Sequence, residues 1–230
     1  MRRRSLVLIS LLALGALAAQ VAPVAAAKGA TTLWATSGEG VSAYWSTEPT
    51  SGQPVVGVLY TTTTLSASSG VFRDSDGKTK LRNLGVIQEV HMYDASGAYI
   101  VVSTTSGDAG AKDVKLKVDG SLTKASVKAR VTLSTCTPQA VGDSICVDGG
   151  TADLVASWSG AGDLISSPTF LQTENDGYTE TLSGNWEFRP ATVSAWLDGV
   201  NLSIGAGTVS ADMSRASSRT ILVCHVAGGC

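Results

Sequence analysis

Three polar side chains that could do chemistry alternate along one short segment. Glu89, His91 and Tyr93 are two residues apart, so on a β-strand all three point to the same face. A carboxylate beside an imidazole is the pairing that general acid–base catalysis uses. The same alternation is typical of a polar strand face turned to solvent, and we favour that interpretation. The spacing allows contact between Glu89 and His91, but we assign neither residue a catalytic role.

The segment Gly142-Asp143-Ser144 resembles part of a serine-hydrolase signature, but its surroundings do not fit. Ile145 and Cys146 follow where a trypsin-like protease has two glycines, and no Gly-x-Ser-x-Gly elbow occurs in the chain. The only histidines are His91 and His225, neither of them in the sequence context that such hydrolases use. We therefore predict no catalytic residues, no cofactor and a protein that is not an enzyme.

Five basic side chains alternate along two adjacent segments. If both segments are strands and Asp119-Gly120 joins them, the five charges form a basic strip on one hairpin face. These residues are Lys115, Lys117, Lys124, Lys128 and Arg130. Such a strip could bind an acidic polysaccharide or a cell-wall polymer. A solvated strand face that discourages edge pairing is the other interpretation.

Two aromatic side chains are candidates for stacking on a ligand. Trp196 alternates with the apolar set Ala191, Val193, Ala195 and Leu197, and therefore points to the opposite face. Tyr44 and Trp45 point to opposite faces of their strand, so one of them could be exposed. Packing in a core is the alternative for all of them.

The composition favours strands over helices. Residues 28–230 contain 26 Ser and 24 Thr, which suit strands and turns better than helix interiors. Period-two patterns predict the following strands: Thr31–Thr36, Val41–Ser46, Val55–Thr63, Leu84–Met92, Tyr99–Thr105, Val114–Val118, Leu122–Leu133, Ala152–Trp158, Ala191–Leu197, Val209–Met213 and Thr220–Val226. Asp94–Gly97 and Asp119-Gly120 read as hairpin turns.

This pattern predicts an all-β protein built as an antiparallel β-sandwich, either two immunoglobulin-like sandwiches or one large one. The Gly-rich stretch Ser106–Lys112 is the best linker. It would divide the mature chain into an N-terminal β domain (28–107) and a C-terminal, disulfide-containing sandwich (112–230). A single β domain over 28–230 is the alternative.

The first 27 residues read as a signal peptide. Arg2-Arg3-Arg4 is followed by an apolar run, and Ala25-x-Ala27 is a cleavage signal before Lys28. We expect a secreted, extracellular protein with no membrane span after cleavage. Cleavage leaves 14 basic against 19 acidic residues, a net charge of −5. An acidic chain is a poor general binder of nucleic acid, so none is expected as a partner.

Four cysteines occur in the second half of the chain, at positions 136, 146, 224 and 230. Export makes oxidation the expected state, and short separations favour Cys136–Cys146 and Cys224–Cys230. A zinc site is disfavoured because the spacings are not C-x-x-C.

Three stretches occur in a suggestive order: Leu122–Leu133, then Ala152–Leu164 with Trp158-Ser-Gly-Ala-Gly162, then Arg189–Leu202 with Arg189-x-Ala-Thr-x-Ser194. A short Cys-to-Cys loop separates the first two. Over roughly residues 115–205 this order resembles that of uncharacterised secreted β-rich bacterial proteins. The resemblance implies a secreted, β-rich, disulfide-containing protein and assigns no functional residue.

Three functions follow as hypotheses. The first is a non-catalytic binding or envelope-associated module, with polysaccharide of the cell wall or extracellular space as a possible ligand. The second is a secreted hydrolase of polysaccharide or ester that uses carboxylates such as Glu89, Glu174 or Glu187. The third is a secreted protease inhibitor that presents the Cys136–Cys146 loop. The absence of a recognisable catalytic constellation favours the first.

Overall fold

A computed structural model describes residues 30–140, 142–175 and 178–224 of the chain. Every regular element within these ranges is a β-strand, and all strand pairs are antiparallel. The strands are β1 (Ala30–Ser46), β2 (Tyr60–Asp74), β3 (Gly77–Tyr93), β4 (Tyr99–Asp108), β5 (Val114–Val118), β6 (Lys124–Thr137), β7 (Ile145–Gly160), β8 (Ile165–Asn175), β9 (Tyr178–Leu197), β10 (Val200–Asn201) and β11 (Thr208–Cys224). The predicted all-β class is confirmed.

Several strands are longer than their apolar patterns indicate. Thr31–Thr36 and Val41–Ser46 are two parts of β1. Val209–Met213 and the first five residues of Thr220–Val226 are two parts of β11, and the last two lie outside the described residues. The residues that join each pair are Gly, Ser, charged residues and one Ala, and they carry no apolar alternation. Ladder pairing therefore continues where no hydrophobic alternation indicates it.

The prediction of a strand from Val55 is wrong for its first five residues. Val55–Leu59 form part of the loop between β1 and β2, and the strand begins at Tyr60. Pro54 precedes this segment and Gly57 has a φ of 75°, which breaks an extended strand. The Tyr60 hydroxyl instead accepts a hydrogen bond from the Val55 N–H at 2.7 Å. Strand β8 was not predicted at all.

The sheet has eleven strands in the order β10-β9-β11-β1-β2-β3-β4-β6-β5, with β7 paired to β6 and β9 and β8 paired to β9. Strand β9 changes partners along its length: residues 178–190 pair with β11 and residues 191–197 pair with β7. Strands β9, β11, β1, β2, β3, β4, β6 and β7 therefore pair in a closed ring, which has two facing layers. One contains β11 and β1 to β3, and the other contains β5 to β7, as expected for an antiparallel sandwich.

One hydrophobic core lies between the layers. Its largest fully buried side chains include Trp45 of β1, Leu65 of β2, Leu84 of β3, Leu154 of β7 and Trp158 of β7. The Trp158 indole N–H donates to the Ser42 carbonyl oxygen across the core at 2.8 Å.

Strands on both sides of the predicted linker belong to this sheet and to this core. Ser106–Asp108 are the end of β4 and pair with both β3 and β6. Gly107 is buried there, and a Cβ atom at this position would lie 2.7 Å from Leu133 and 2.8 Å from Val86. Only residues 109–113 form the connection to β5.

The two predicted hairpin turns are present. Residues 94–98 join β3 to β4, with the Asp94 N–H donating to the Ala98 carbonyl at 3.0 Å. Residues 119–123 join β5 to β6, so Leu122 belongs to the turn and not to the strand. It adopts a φ of 52°, and its side chain is fully buried.

Candidate binding face

The five predicted basic residues lie on one outer surface. Lys115 and Lys117 of β5, and Lys124, Lys128 and Arg130 of β6, are all exposed, while the residues between them on each strand are mostly buried in the core. Local sequence explains this arrangement, because strict alternation sends every apolar neighbour inward. We call this surface of β5, β6, β7 and the second part of β9 the basic face.

A single cross-strand row links the lysines to Trp196. Lys115 lies opposite Lys128, Lys128 lies opposite Val155, and Val155 lies opposite Trp196. Adjacent strands are about 4.8 Å apart, so Lys128 and Trp196 are roughly 10 Å apart across the sheet. The Trp196 side chain is 39% exposed. The register therefore places an accessible indole beside an accessible ammonium group.

The neighbouring rows carry hydroxyl groups. One row runs from Lys117 to Ser126, Ser157 and Ser194 on successive strands. In the other, Lys124 lies opposite Ser159. A shallow depression of about 460 Å³ lies here, and its polar lining includes Lys117, Lys124, Ser126, Ser157 and Ser159. Hydroxyls can donate and accept hydrogen bonds, so this surface can bind polar ligands of either kind.

The cationic groups of the basic face have no carboxylate partner within the described ranges of the chain. Arg130 lies opposite Asp153, whose own N–H is bound by the Asp198 carboxylate at 2.7 Å. At the end of the depression, the Asp119 carboxylate accepts hydrogen bonds from residues of its own turn. Hydrogen bonds, chiefly from the Thr123 hydroxyl, lower the pKa of the Asp119 carboxyl. The four lysines therefore present free positive charge.

Tyr44, the second stacking candidate, lies elsewhere. Its side chain is 36% exposed and its neighbours across the strands are Ser210 of β11 and Thr64 of β2. Strand β1 belongs to the opposite layer from the basic face, so the pairing does not bring Tyr44 to Trp196.

The cysteine predictions have different outcomes. Cys136 and Cys146 form a disulfide between directly opposite positions of β6 and β7, with a Cα–Cα distance of 4.0 Å. This pairing is confirmed. Cys230 lies outside the described residues, so the Cys224–Cys230 pairing stays a prediction; His225 and the signal peptide 1–27 also lie outside them.

Sequence reasoning found only part of a second cluster. His91 is fully buried, and its Nε2 lies 2.7 Å from the Glu48 carboxylate. Its Nδ1 lies 3.9 Å from the Glu89 carboxylate, and the Tyr99 ring stacks on the imidazole at 4.4 Å. The expectation of a solvated polar face is wrong for His91, because Tyr99 and Glu48, in the loop after β1, cover it.

The two carboxylates beside His91 accept hydrogen bonds from tyrosine hydroxyls. Tyr93 donates to Glu48 at 2.9 Å, and Tyr99 donates to Glu89. Burial first, and then the bond to Glu48, raise the pKa of Tyr93 to about 12. Burial and Glu89 likewise raise the pKa of Tyr99. His91 itself has no exposed surface, and its contact with Glu48 joins the loop after β1 to β3.

Glu48 was missed because it is distant in sequence and lies in a loop. Its N–H donates to the Ser46 hydroxyl at 3.1 Å, and Gly207 N–H donates to the Ser46 carbonyl at 2.8 Å. A Cβ atom at Gly207 would lie 2.9 Å from the Glu48 carbonyl oxygen. A loop glycine packed this closely leaves no signal in hydrophobic periodicity.

The carboxylates of the hydrolase hypothesis lie on three different strands, each with its own partner. Glu89 of β3 binds Tyr99, Glu174 of β8 accepts a bond from Gln172 at 3.1 Å, and Glu187 of β9 pairs with Arg215. A cleft of about 500 Å³ lies beside the Arg215–Glu187 pair and is lined mainly by Ser, Gly, Glu and Asn residues.

Comparisons with known proteins give no relative for this chain: no family model, no curated protein and no solved structure matches it. The resemblance to secreted bacterial proteins therefore stays a prediction. None of the described residues forms a helix long and apolar enough to cross a membrane. Among the same residues, no group of three or more His, Cys, Asp and Glu side chains is placed to hold a metal ion.

Proposed function

We propose that this protein is a secreted, non-catalytic binding module that holds an acidic extracellular or cell-wall polysaccharide on its basic face. The observation that carries the proposal is the cross-strand row from Lys115 and Lys128 to Trp196. It puts unpaired ammonium groups and an exposed indole on one surface, at a separation that a single sugar chain can span.

The residue types of this face suit a charged sugar polymer. Ammonium groups attract carboxylate or sulfate groups, and an indole offers an apolar surface to the C–H face of a sugar ring. The hydroxyls of Ser126, Ser157 and Ser194 can exchange hydrogen bonds with sugar hydroxyls. Single-stranded nucleic acid is a poorer candidate, because it needs several stacking aromatics along a positive groove.

Two further features support secretion. The first 27 residues have the charge and hydropathy pattern of an export signal. The Cys136–Cys146 disulfide is compatible with an oxidising compartment, since such bonds persist mainly outside the cytosol. Both features agree with a ligand that lies outside the cell.

The test is retention of the chain 28–230 on polygalacturonate, with neutral dextran as the uncharged comparison. Lys115→Ser/Lys128→Ser should weaken binding to the acidic polymer about tenfold, since each surface charge contributes up to ~1 kcal/mol. Trp196→Ala should weaken it as well. Rising salt should reduce binding by the wild type more than by the double variant, because screening acts on those charges.

Matched controls use residues of the same type elsewhere. Lys78 and Lys80 are exposed on β3, and Tyr44 has almost the same exposed fraction as Trp196 but lies in the other layer. Lys78→Ser/Lys80→Ser and Tyr44→Ala should bind as the wild type does. Equal loss in these controls, or no preference for the acidic polymer over dextran, would overturn the proposal.

A further inference from the structure

A small cavity lies at one end of the core, on the inner side of the sheet. It has a volume of about 250 Å³ and is bounded by Trp45, Thr47, Thr61, Thr63 and Gln88 and by residues 200–206, which are β10 and the loop after it. The register of β1, β2 and β3 brings Trp45, Thr63 and Gln88 to opposite positions in one row. The wall is therefore built by the sheet itself and is closed by one loop.

The chemistry of this wall is uncharged and rich in hydroxyl and amide groups. Among the described residues, no Lys, Arg, Asp, Glu or His lines the cavity. The Gln88 side-chain amide donates to the Thr63 hydroxyl at 3.4 Å, and the Thr47 hydroxyl accepts from the Thr61 N–H at 2.8 Å. These groups keep further lone pairs or N–H groups for a ligand. A charged ligand would lose its hydration there without gaining a counter-charge.

One wall residue carries a buried donor without a partner. Trp45 is 2% exposed, and its Nε1 is one of three buried side-chain nitrogens that lack a hydrogen-bond partner among the described residues. The other core tryptophan, Trp158, has its N–H bonded to a carbonyl oxygen. A buried donor is normally satisfied by protein, water or ligand, and Trp45 lines the cavity, so a ligand held there can supply the missing acceptor.

We propose that this cavity is a binding site for a neutral, hydroxyl-bearing molecule no larger than a monosaccharide. At roughly 30 Å³ per water molecule, its volume equals about eight waters, which is enough for a single sugar ring. The Thr63 hydroxyl, the Gln88 amide and the Trp45 indole N–H bind the ligand hydroxyls. The site lies inside the sheet and is independent of the basic face.

The experiment titrates the chain 28–230 with galactose, glucose, N-acetylglucosamine and myo-inositol, using ligand-observed NMR and tryptophan fluorescence. At least one of these should bind saturably at millimolar concentration. Galacturonate should bind at least tenfold more weakly than galactose, which separates this site from the basic face. Absence of saturable binding by every neutral probe, or equal binding of galacturonate, would overturn the proposal.

Three variants locate the binding. Ala206→Leu fills the cavity from the loop and should abolish binding without lowering the melting temperature. Thr63→Val removes the hydroxyl at constant shape and should weaken binding about tenfold, whereas Thr64→Val, on the outer face of the same strand, should leave it unchanged. Binding that survives Ala206→Leu would place the ligand elsewhere and overturn the proposal.

Discussion

At the scale of single residues, the two core tryptophans form a natural comparison. Both are almost fully buried, but only Trp158 has a partner for its indole N–H, the Ser42 carbonyl. Replacement by Phe removes the same atoms in both cases. Trp158→Phe also removes a cross-core hydrogen bond, so it should destabilise the protein by ~1–3 kcal/mol more than Trp45→Phe. Denaturant unfolding measures the difference, and equal losses would contradict this account.

The tyrosines beside His91 predict a pH dependence. Burial and the Glu48 bond raise the pKa of Tyr93 to about 12, so the folded state holds this proton more tightly than the unfolded chain does. The resulting stability is complete below the unfolded value of about 10 and is lost as the pH rises through 12. Unfolding free energies measured from pH 8 to 12 should therefore fall, and less steeply in Tyr93→Phe. An unchanged slope would exclude Tyr93 as the cause.

The sequence predicted that Glu89 and His91 are neighbours, because strand geometry brings residues i and i+2 to one face. It could not reach Glu48 or Tyr99, since their contacts with the imidazole depend on how a loop and a neighbouring strand pack. The same limit applied to the basic face. The alternation of residue types predicted exposed lysines and an exposed Trp196 separately. It could not predict that they share one row, because that depends on the register of four strands.

At the scale of strands, glycines mark where two backbones come close. A Cβ atom on Gly184 of β9 would lie 2.5 Å from the Ser217 carbonyl oxygen of β11. That oxygen is backbone and cannot move aside, so Gly184→Ala should destabilise the protein by ~1–3 kcal/mol. In the matched variant Gly85→Ala, the nearest atom to the new methyl group is 3.9 Å away. Gly85→Ala should be neutral or slightly stabilising.

Thermal unfolding of both variants provides the measurement. Equal melting temperatures for Gly184→Ala and the wild type would show that β9 and β11 have room to separate. Strand lengths were underestimated from the sequence for a different reason. Polar stretches such as residues 214–219 carry no hydrophobic alternation, and they are strands because their backbones pair with neighbours.

At the scale of the whole molecule, the order of pairing ties the two halves of the chain together. The first strand pairs with the last, β1 with β11, and β4 pairs with β6 across the predicted linker. Composition and period-two patterning were enough for the all-β class and for most strands. They could not predict the pairing of β1 with β11 or of β4 with β6, because long-range pairing between polar segments depends on the complete fold.

This long-range pairing predicts that residues 112–230 do not fold alone. Without residues 28–107, β11 loses β1, β6 loses β4, and Leu154 and Trp158 lose the opposite wall of the core formed by Trp45, Leu65 and Leu84. The isolated segment should show poorly dispersed amide NMR signals and no sharp thermal transition. The matched control is the chain 28–230 cut within the connection 109–113, whose two pieces should remain associated and unfold together. A cooperative transition of the isolated segment would instead support two independent domains.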